Sequence, residues 1–137
     1  MIQKLQTRRG GFTLVEIMIV VAIIALLAAI AVPNFLRARK RSQATRILED
    51  LRMIDSATDQ YAIENNKTTN NSANFTDIKA YLKTGSVLYA TGQDIFGDSY
   101  GGTGGVFTVD TLPNVPAAAW TTLSDVAPQS FWSPYHN

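Results

Sequence analysis

The chain contains no cysteine and a single histidine, His136. The first absence excludes a disulfide framework, thiolate zinc ligation and thiol nucleophiles. It does not fix the compartment, because disulfides are permitted outside the cytosol rather than required there. His136 has no partner set, and neither a phosphate-binding glycine loop nor a nucleophile elbow is present. No catalytic constellation is visible, and the chain reads as a non-enzyme. A basic patch is also missing from the C-terminal part. Lys4, Arg8, Arg9, Arg37, Arg39, Lys40, Arg41 and Arg46 supply eight of the twelve positive charges, and the sequence beyond them is mildly acidic. With a net charge of +1 distributed this way, no nucleic-acid partner is expected.

Charge is absent altogether from residues 17–36, a run of twenty. That length matches the roughly 20 residues needed to cross a hydrocarbon core. A cleaved signal peptide has a shorter apolar stretch, about 7–15 residues, that ends at small residues. Ala28, Ala29 and Ala31 imitate such an end, but the stretch is too long and Glu16 sits near its start. A plain anchor explains the length but neither Glu16 nor the basic leader. A buried core helix is excluded, because the remaining hundred or so residues cannot enclose so much apolar surface. Four zones follow: a short basic leader at residues 1–11, a membrane-crossing segment at 12–36, a charged but periodic stretch at 37–65, and an exported globular head at 66–137. The cations at 37–41 read as a stop at the far membrane face.

In the third zone Ala44, Ile47, Leu48, Leu51, Ile54, Thr58 and Tyr61 recur at three- and four-residue steps, which predicts an amphipathic helix continuing the second zone. Asp50, Asp55 and other charged residues fall largely off that stripe. Together residues 12–64 make one helix of about 80 Å, ending near Asn65-Asn66, with Pro33 expected to kink it or melt it locally. The head is expected to hold a polar loop at 66–74, a short helix capped by Thr76, and strands at 86–90 and 106–109. An irregular C-terminal loop follows, tied down by Phe131, Trp132 and Tyr135. The fold class is α+β: a long N-terminal helix packed on a small antiparallel sheet with a short helix and a C-terminal loop.

The stretch Arg8-Arg9-Gly10-Gly11-Phe12-Thr13-Leu14-Val15-Glu16-Ile17-Met18 strongly resembles the signal of prepilins, and the likeness runs on through Pro33-Asn34-Phe35. The resemblance is to the type IV pilin-like family and covers about the first third of the chain. It implies a prepilin peptidase that cuts between Gly11 and Phe12 and methylates the new amine of Phe12. It implies a homo-oligomeric filament built on an inner-membrane assembly platform with a cytoplasmic ATPase, and a Glu16 carboxylate that pairs with the Phe12 amine of an adjacent subunit. Physical reasons stand beside each position. Lys4, Arg8 and Arg9 hold the leader in the cytoplasm, and Gly11 presents no side chain to a peptidase. Glu16 is costly in an apolar helix and therefore a candidate functional group. Pro33 is either a tolerated proline of a membrane helix or a weak point used when subunits pack.

A second likeness lies in the head. Asp94-Ile95-Phe96-Gly97-Asp98-Ser99-Tyr100 resembles the Asp-Pro-Trp-Gly-Asn-Pro-Tyr stretch of type II secretion major pseudopilins, departing from it at Ile95, Asp98 and Ser99. Such proteins bind calcium in a loop beyond this stretch. Asp94, Asp98, Asp110 and Asp125 are the weak candidates for oxygen ligands. Their spacing is not that of an EF-hand, and scattered aspartates commonly serve turns, so no metal or other cofactor is assigned. The expected function is a structural subunit of a type II secretion pseudopilus or type IV pilus, serving protein secretion or adhesion and motility. The expected location is the inner (cytoplasmic) membrane, crossed once, with leader cytoplasmic, head exported and filament in the periplasm or at the cell surface. The competing reading is a membrane-anchored binding module that keeps its leader and forms no filament.

Overall fold

Residues 10–102 and 104–136 are described by the computed structural model. Of the leader expected at 1–11, only Gly10 and Gly11 fall among them. The chain divides into two compact units, Met1–Leu36 and Arg37–Asn137. Helix α1, Leu14–Glu64, contributes to both. It is rich in Leu, Ile, Ala and Arg, all tolerated or favoured in helices, and contains no glycine. Local melting at Pro33, one of the two effects expected there, is not found: the backbone is helical before, at and after it. A proline removes only its own amide from the ladder, and the bonds on either side carry the helix past it.

In the first unit every described residue is exposed, including Leu14, Ile24 and Phe35. This helix segment has no apolar cover of its own, which is the condition of a segment that lies in lipid or against other chains.

In the second unit α1 buries the stripe expected of it. Ala44, Ile47, Leu48, Leu51, Ile54 and Thr58 are buried and Tyr61 is half-buried; Asp50, Ala57 and Ala62 join them. The helix stops where the sequence indicated, with Asn66 in the left-handed region at φ 48° and the Lys67 amide donating to the Ala62 carbonyl at 2.9 Å.

The head packs against this stripe. Strands β1 (Ser72–Asn74) and β2 (Val106–Thr108) pair antiparallel in the register Ser72↔Thr108, Ala73↔Phe107 and Asn74↔Val106, placing buried Ala73 opposite buried Phe107. The β2 strand was expected; β1 lies in a segment read as a polar loop. Helix α2, Phe75–Ile78, starts two residues earlier than a Thr76 cap would place it. Asn74 is the cap, and its amide donates to Asp77 Oδ2 at 2.9 Å. The stretch expected as a strand at 86–90 is instead helix α3, Val87–Thr91. Ser86 Oγ accepts from the Tyr89 amide at 3.0 Å, and Gly92, at φ +64°, closes the far end. Two caps thus outweigh the strand propensity of Val and Tyr. The tail also differs from expectation, holding helices α4 (Ala117–Leu123) and α5 (Gln129–Trp132). Trp132 is fully buried with Nε1 donating to the Ala127 carbonyl at 3.0 Å, and Tyr135 is buried beside it. His136 stacks on Trp120 with ring centroids 3.8 Å apart.

One polar contact runs through this core. The Tyr100 hydroxyl, on a fully buried ring, donates to Asp50 Oδ2 at 3.0 Å. Burial pushes the Asp50 carboxyl above its ordinary range, opposed by the tyrosine bond, and burial together with the Asp50 charge pushes the Tyr100 phenol far up. A carboxyl raised on folding contributes fully to stability below its ordinary value of 3.8 and loses that contribution as pH rises through the raised value. Asp50→Asn keeps an acceptor for Tyr100 and removes the buried charge. Its stability relative to the parent should therefore improve as pH rises from acid to neutral. Thermal unfolding of the full chain in detergent, followed by tryptophan fluorescence at several pH values, checks this. A difference that does not change with pH would refute it.

Candidate functional site

Gly10, Gly11, Phe12 and Thr13 precede α1 without regular structure, and all four are exposed, Phe12 at 85%. A Cβ added at Gly10 or Gly11 meets nothing within 4 Å. Internal packing therefore does not demand glycine at either position.

Thr13 and Glu16 make a reciprocal cap. The Glu16 amide donates to Thr13 Oγ1 at 3.2 Å, while Glu16 Oε2 accepts from the Thr13 amide at 2.8 Å and from the Thr13 hydroxyl at 2.9 Å. This is a capping box, which satisfies amides that the first helical turn would otherwise leave unpaired. It also sets a carboxylate against the positive end of the helix. The sequence reading treated Glu16 as a lone carboxylate and missed Thr13, although Thr-x-x-Glu ahead of an apolar run is the sequence signature of such a box. Among the described residues Oε1 of Glu16 has no hydrogen-bond partner, so the side chain retains acceptor capacity. Pro33 is exposed within α1, and its missing amide removes the donor that the Ala29 carbonyl would otherwise use.

The four aspartates considered as cation ligands are not brought together. Asp94 and Asp98 share one turn: Asp94 Oδ1 accepts from the amides of Phe96 at 2.8 Å and Asp98 at 2.9 Å. Asp98 Oδ2 accepts from the Ala118 amide at 3.1 Å, in the first turn of α4. Asp110 accepts from the Thr69 hydroxyl, and Asp125 pairs with Lys40 at 2.9 Å. The Lys40 partner holds the Asp125 carboxyl below its ordinary range, whereas burial pushes Asp94 up. Among the described residues no group of three or more His, Asp or Glu side chains gathers. Each carboxylate has its own partner: a turn, a helix start, the Thr69 hydroxyl or an ion pair.

Two open grooves mark the head. The larger, about 620 Å³, runs between β2 and the loop before α4, and among the described residues Asp98 is the only ionisable one lining it. The smaller, about 320 Å³, is lined by Arg52, Met53, Tyr81 and Lys83 among others. Neither joins an acid, a base and a nucleophile in the way that acid–base or covalent catalysis requires.

Residues 6–32 match the family model described as the prokaryotic N-terminal methylation motif. Among curated proteins, the chain is 48% identical over 63 residues to the type IV wide pilus major component PilA4 of Thermus thermophilus; the match covers 46% of this chain and 48% of that protein. It is 37% identical over 60 residues to the type II secretion system core protein G of Pectobacterium carotovorum, covering 44% and 38%. It is 39% identical over 66 residues to the type IV major pilin protein PilA of Myxococcus xanthus, covering 48% and 30%. The matched stretch thus spans less than half the length of these relatives. No solved structure matches the chain.

The arrangement of the aspartates gives a direct expectation for calcium. Melting of the detergent-solubilised chain should be the same in chelator and in about 1 mM calcium, the range of weak extracellular sites. A rise of several degrees would reveal a site that stabilises the folded head by mass action.

Proposed function

We propose that this chain, whose residues 6–32 carry the prepilin-type methylation motif, is the structural subunit of a type IV pilus or a type II secretion pseudopilus. The observation that carries the reading is an exposed apolar helix opening on Thr13 and Glu16, directly after a glycine–phenylalanine junction with no packing of its own. The relatives named as pilins and as a secretion-system core protein support it.

On this reading the basic leader stays in the cytoplasm, the helix crosses the inner membrane once, and the head is exported. A prepilin peptidase cuts between Gly11 and Phe12 and methylates the amine released. The helix then leaves lipid for the company of other copies. Both surroundings are apolar, so close packing and polar contacts, not water exclusion, decide the transfer. Glu16 supplies the polar contact by meeting the Phe12 amine of an adjacent subunit and thereby sets the register. Pro33 supplies a point where the backbone ladder is already one bond short. An assembly platform with a cytoplasmic ATPase drives the addition of subunits.

Intact mass of the membrane-extracted protein should show the loss of residues 1–11 and the gain of one methyl group. A mature chain that keeps its leader would favour the membrane-anchored binding module instead.

Glu16→Ala should leave membrane insertion and head folding intact while filaments become scarce, because an unpaired amine in an apolar core costs about 3–5 kcal/mol per contact. Filament yield by electron microscopy, set against the amount of membrane-bound subunit, reads this. Normal filaments from the variant would remove the assembly role given to Glu16.

A further inference from the structure

The charges that follow the apolar segment have a distribution that a simple stop signal does not require. Arg37, Arg39, Lys40 and Arg41 begin at the residue directly after Leu36. At about 100° per residue, Arg41 lies roughly 40° around α1 from Arg37, Arg39 about 200° and Lys40 about 300°. The buried residues Ala44, Ile47 and Leu51 lie within about 40° of the Lys40 direction, so Lys40 stands on the side that the head covers. Lys40 is the one that pairs with the head, at 2.9 Å from Asp125. Arg37, Arg39 and Arg41 occupy the rest of the circumference and are exposed. Among the described residues Lys40–Asp125 is the only ion pair in direct contact; Arg37 acts on Asp125 at longer range, and none of the three arginines makes a salt bridge there. The next acidic residue along α1 is Glu49, about 12 Å beyond Arg41.

We infer that Arg37, Arg39 and Arg41 form a collar that binds anionic phospholipid headgroups. This rests on the membrane-crossing reading of residues 12–36, but not on filament formation. A protein partner docking on one side would be met by cations on one face. Cations on opposite faces of a helix, at the level where its apolar surface ends, suit a ring of phosphates instead. Guanidinium groups bind phosphate oxygens through paired hydrogen bonds, and basic residues beside a membrane span attract anionic lipid. Lys40 is withdrawn from this role by Asp125, which leaves the collar open on the side where the head sits.

The test uses the full chain reconstituted into bilayers of phosphatidylglycerol and phosphatidylcholine in equal amounts, with spin-labelled versions of each lipid reporting association by electron paramagnetic resonance. The parent should prefer the anionic lipid, and the combined variant Arg37→Gln, Arg39→Gln, Arg41→Gln should lose about fivefold of that preference. Lys4, Arg8 and Arg9 are present in both proteins, so the difference between them reports the collar. The combined Arg→Lys variant should keep most of the preference, and about 1 M salt should erase the difference. Tryptophan fluorescence of the head, where Lys40–Asp125 is untouched, verifies that the variants fold. Equal preference in parent and Gln variant would overturn the collar. So would a Gln variant with unchanged lipid preference but few filaments, which would assign the arginines to acidic groups of neighbouring subunits. A chain that fails to float with the vesicles would overturn the membrane reading and the collar together, whereas one that floats without selectivity overturns the collar alone.

Discussion

The constraint on which the rest depends is an apolar helix with nothing of its own to cover it. Residues 17–36 carry no charge and are exposed throughout. Water is an unfavourable environment for such a surface. The segment needs lipid or other helices, and these two environments are similar enough that passage between them is governed by a few polar contacts. On the proposed reading, single residues at the margins of the segment, Glu16 at one end and the arginines at the other, would then carry much of its chemistry.

The second unit uses the same helix differently. From Ala44 to Ala62, α1 is the wall against which the head is built, and the largest buried side chains, Trp132, Tyr100, Ile47, Leu51 and Ile54, come from that wall and from segments laid against it. Short elements suffice because each is held at its ends: Asn74 and Asp77 start α2, Ser86 and Gly92 bound α3, and Asp98 meets the first turn of α4. Without disulfides, these caps and the Tyr100–Asp50 bond supply much of the head's specificity.

Features governed by long-range periodicity were legible in the sequence. The uncharged run, the amphipathic stripe from Ala44 to Tyr61 and the stop at Asn66 all persist over several turns, so local exceptions do not hide them. The junction at Gly11–Phe12 was legible as a motif. What escaped was decided by single hydrogen bonds. Val87, Leu88 and Tyr89 look like a strand until Ser86 and Gly92 are recognised as caps. Ser72, Ala73 and Asn74 become a strand only because Phe107 lies opposite. Ala117–Leu123 reads as loop because prolines surround it, yet Pro116 sits just ahead of the helix, where its carbonyl accepts from the Trp120 amide at 3.0 Å and no amide of its own is needed. The role of Thr13 is legible only when its hydroxyl is read together with Glu16 three residues on, because the cost of a carboxylate in an apolar run is the louder signal. The four aspartates have separate partners: Asp94 and Asp98 share a turn, Asp98 meets the start of α4, Asp110 accepts from Thr69 and Asp125 pairs with Lys40.

The Thr13–Glu16 box begins beyond the Gly11–Phe12 bond and uses no atom on the leader side of it. Under the proposed processing, hydrolysis therefore alters the electrical character of the helix end without requiring the helix to be rebuilt. A new ammonium appears beside a terminus that already bears a partial positive charge, an arrangement unfavourable by about 0.3–1 kcal/mol. Its own Glu16 is partly spent on Thr13. Cutting the chain would thus leave the helix unchanged in shape but electrostatically unsatisfied, a subunit primed by charge imbalance for the company of another.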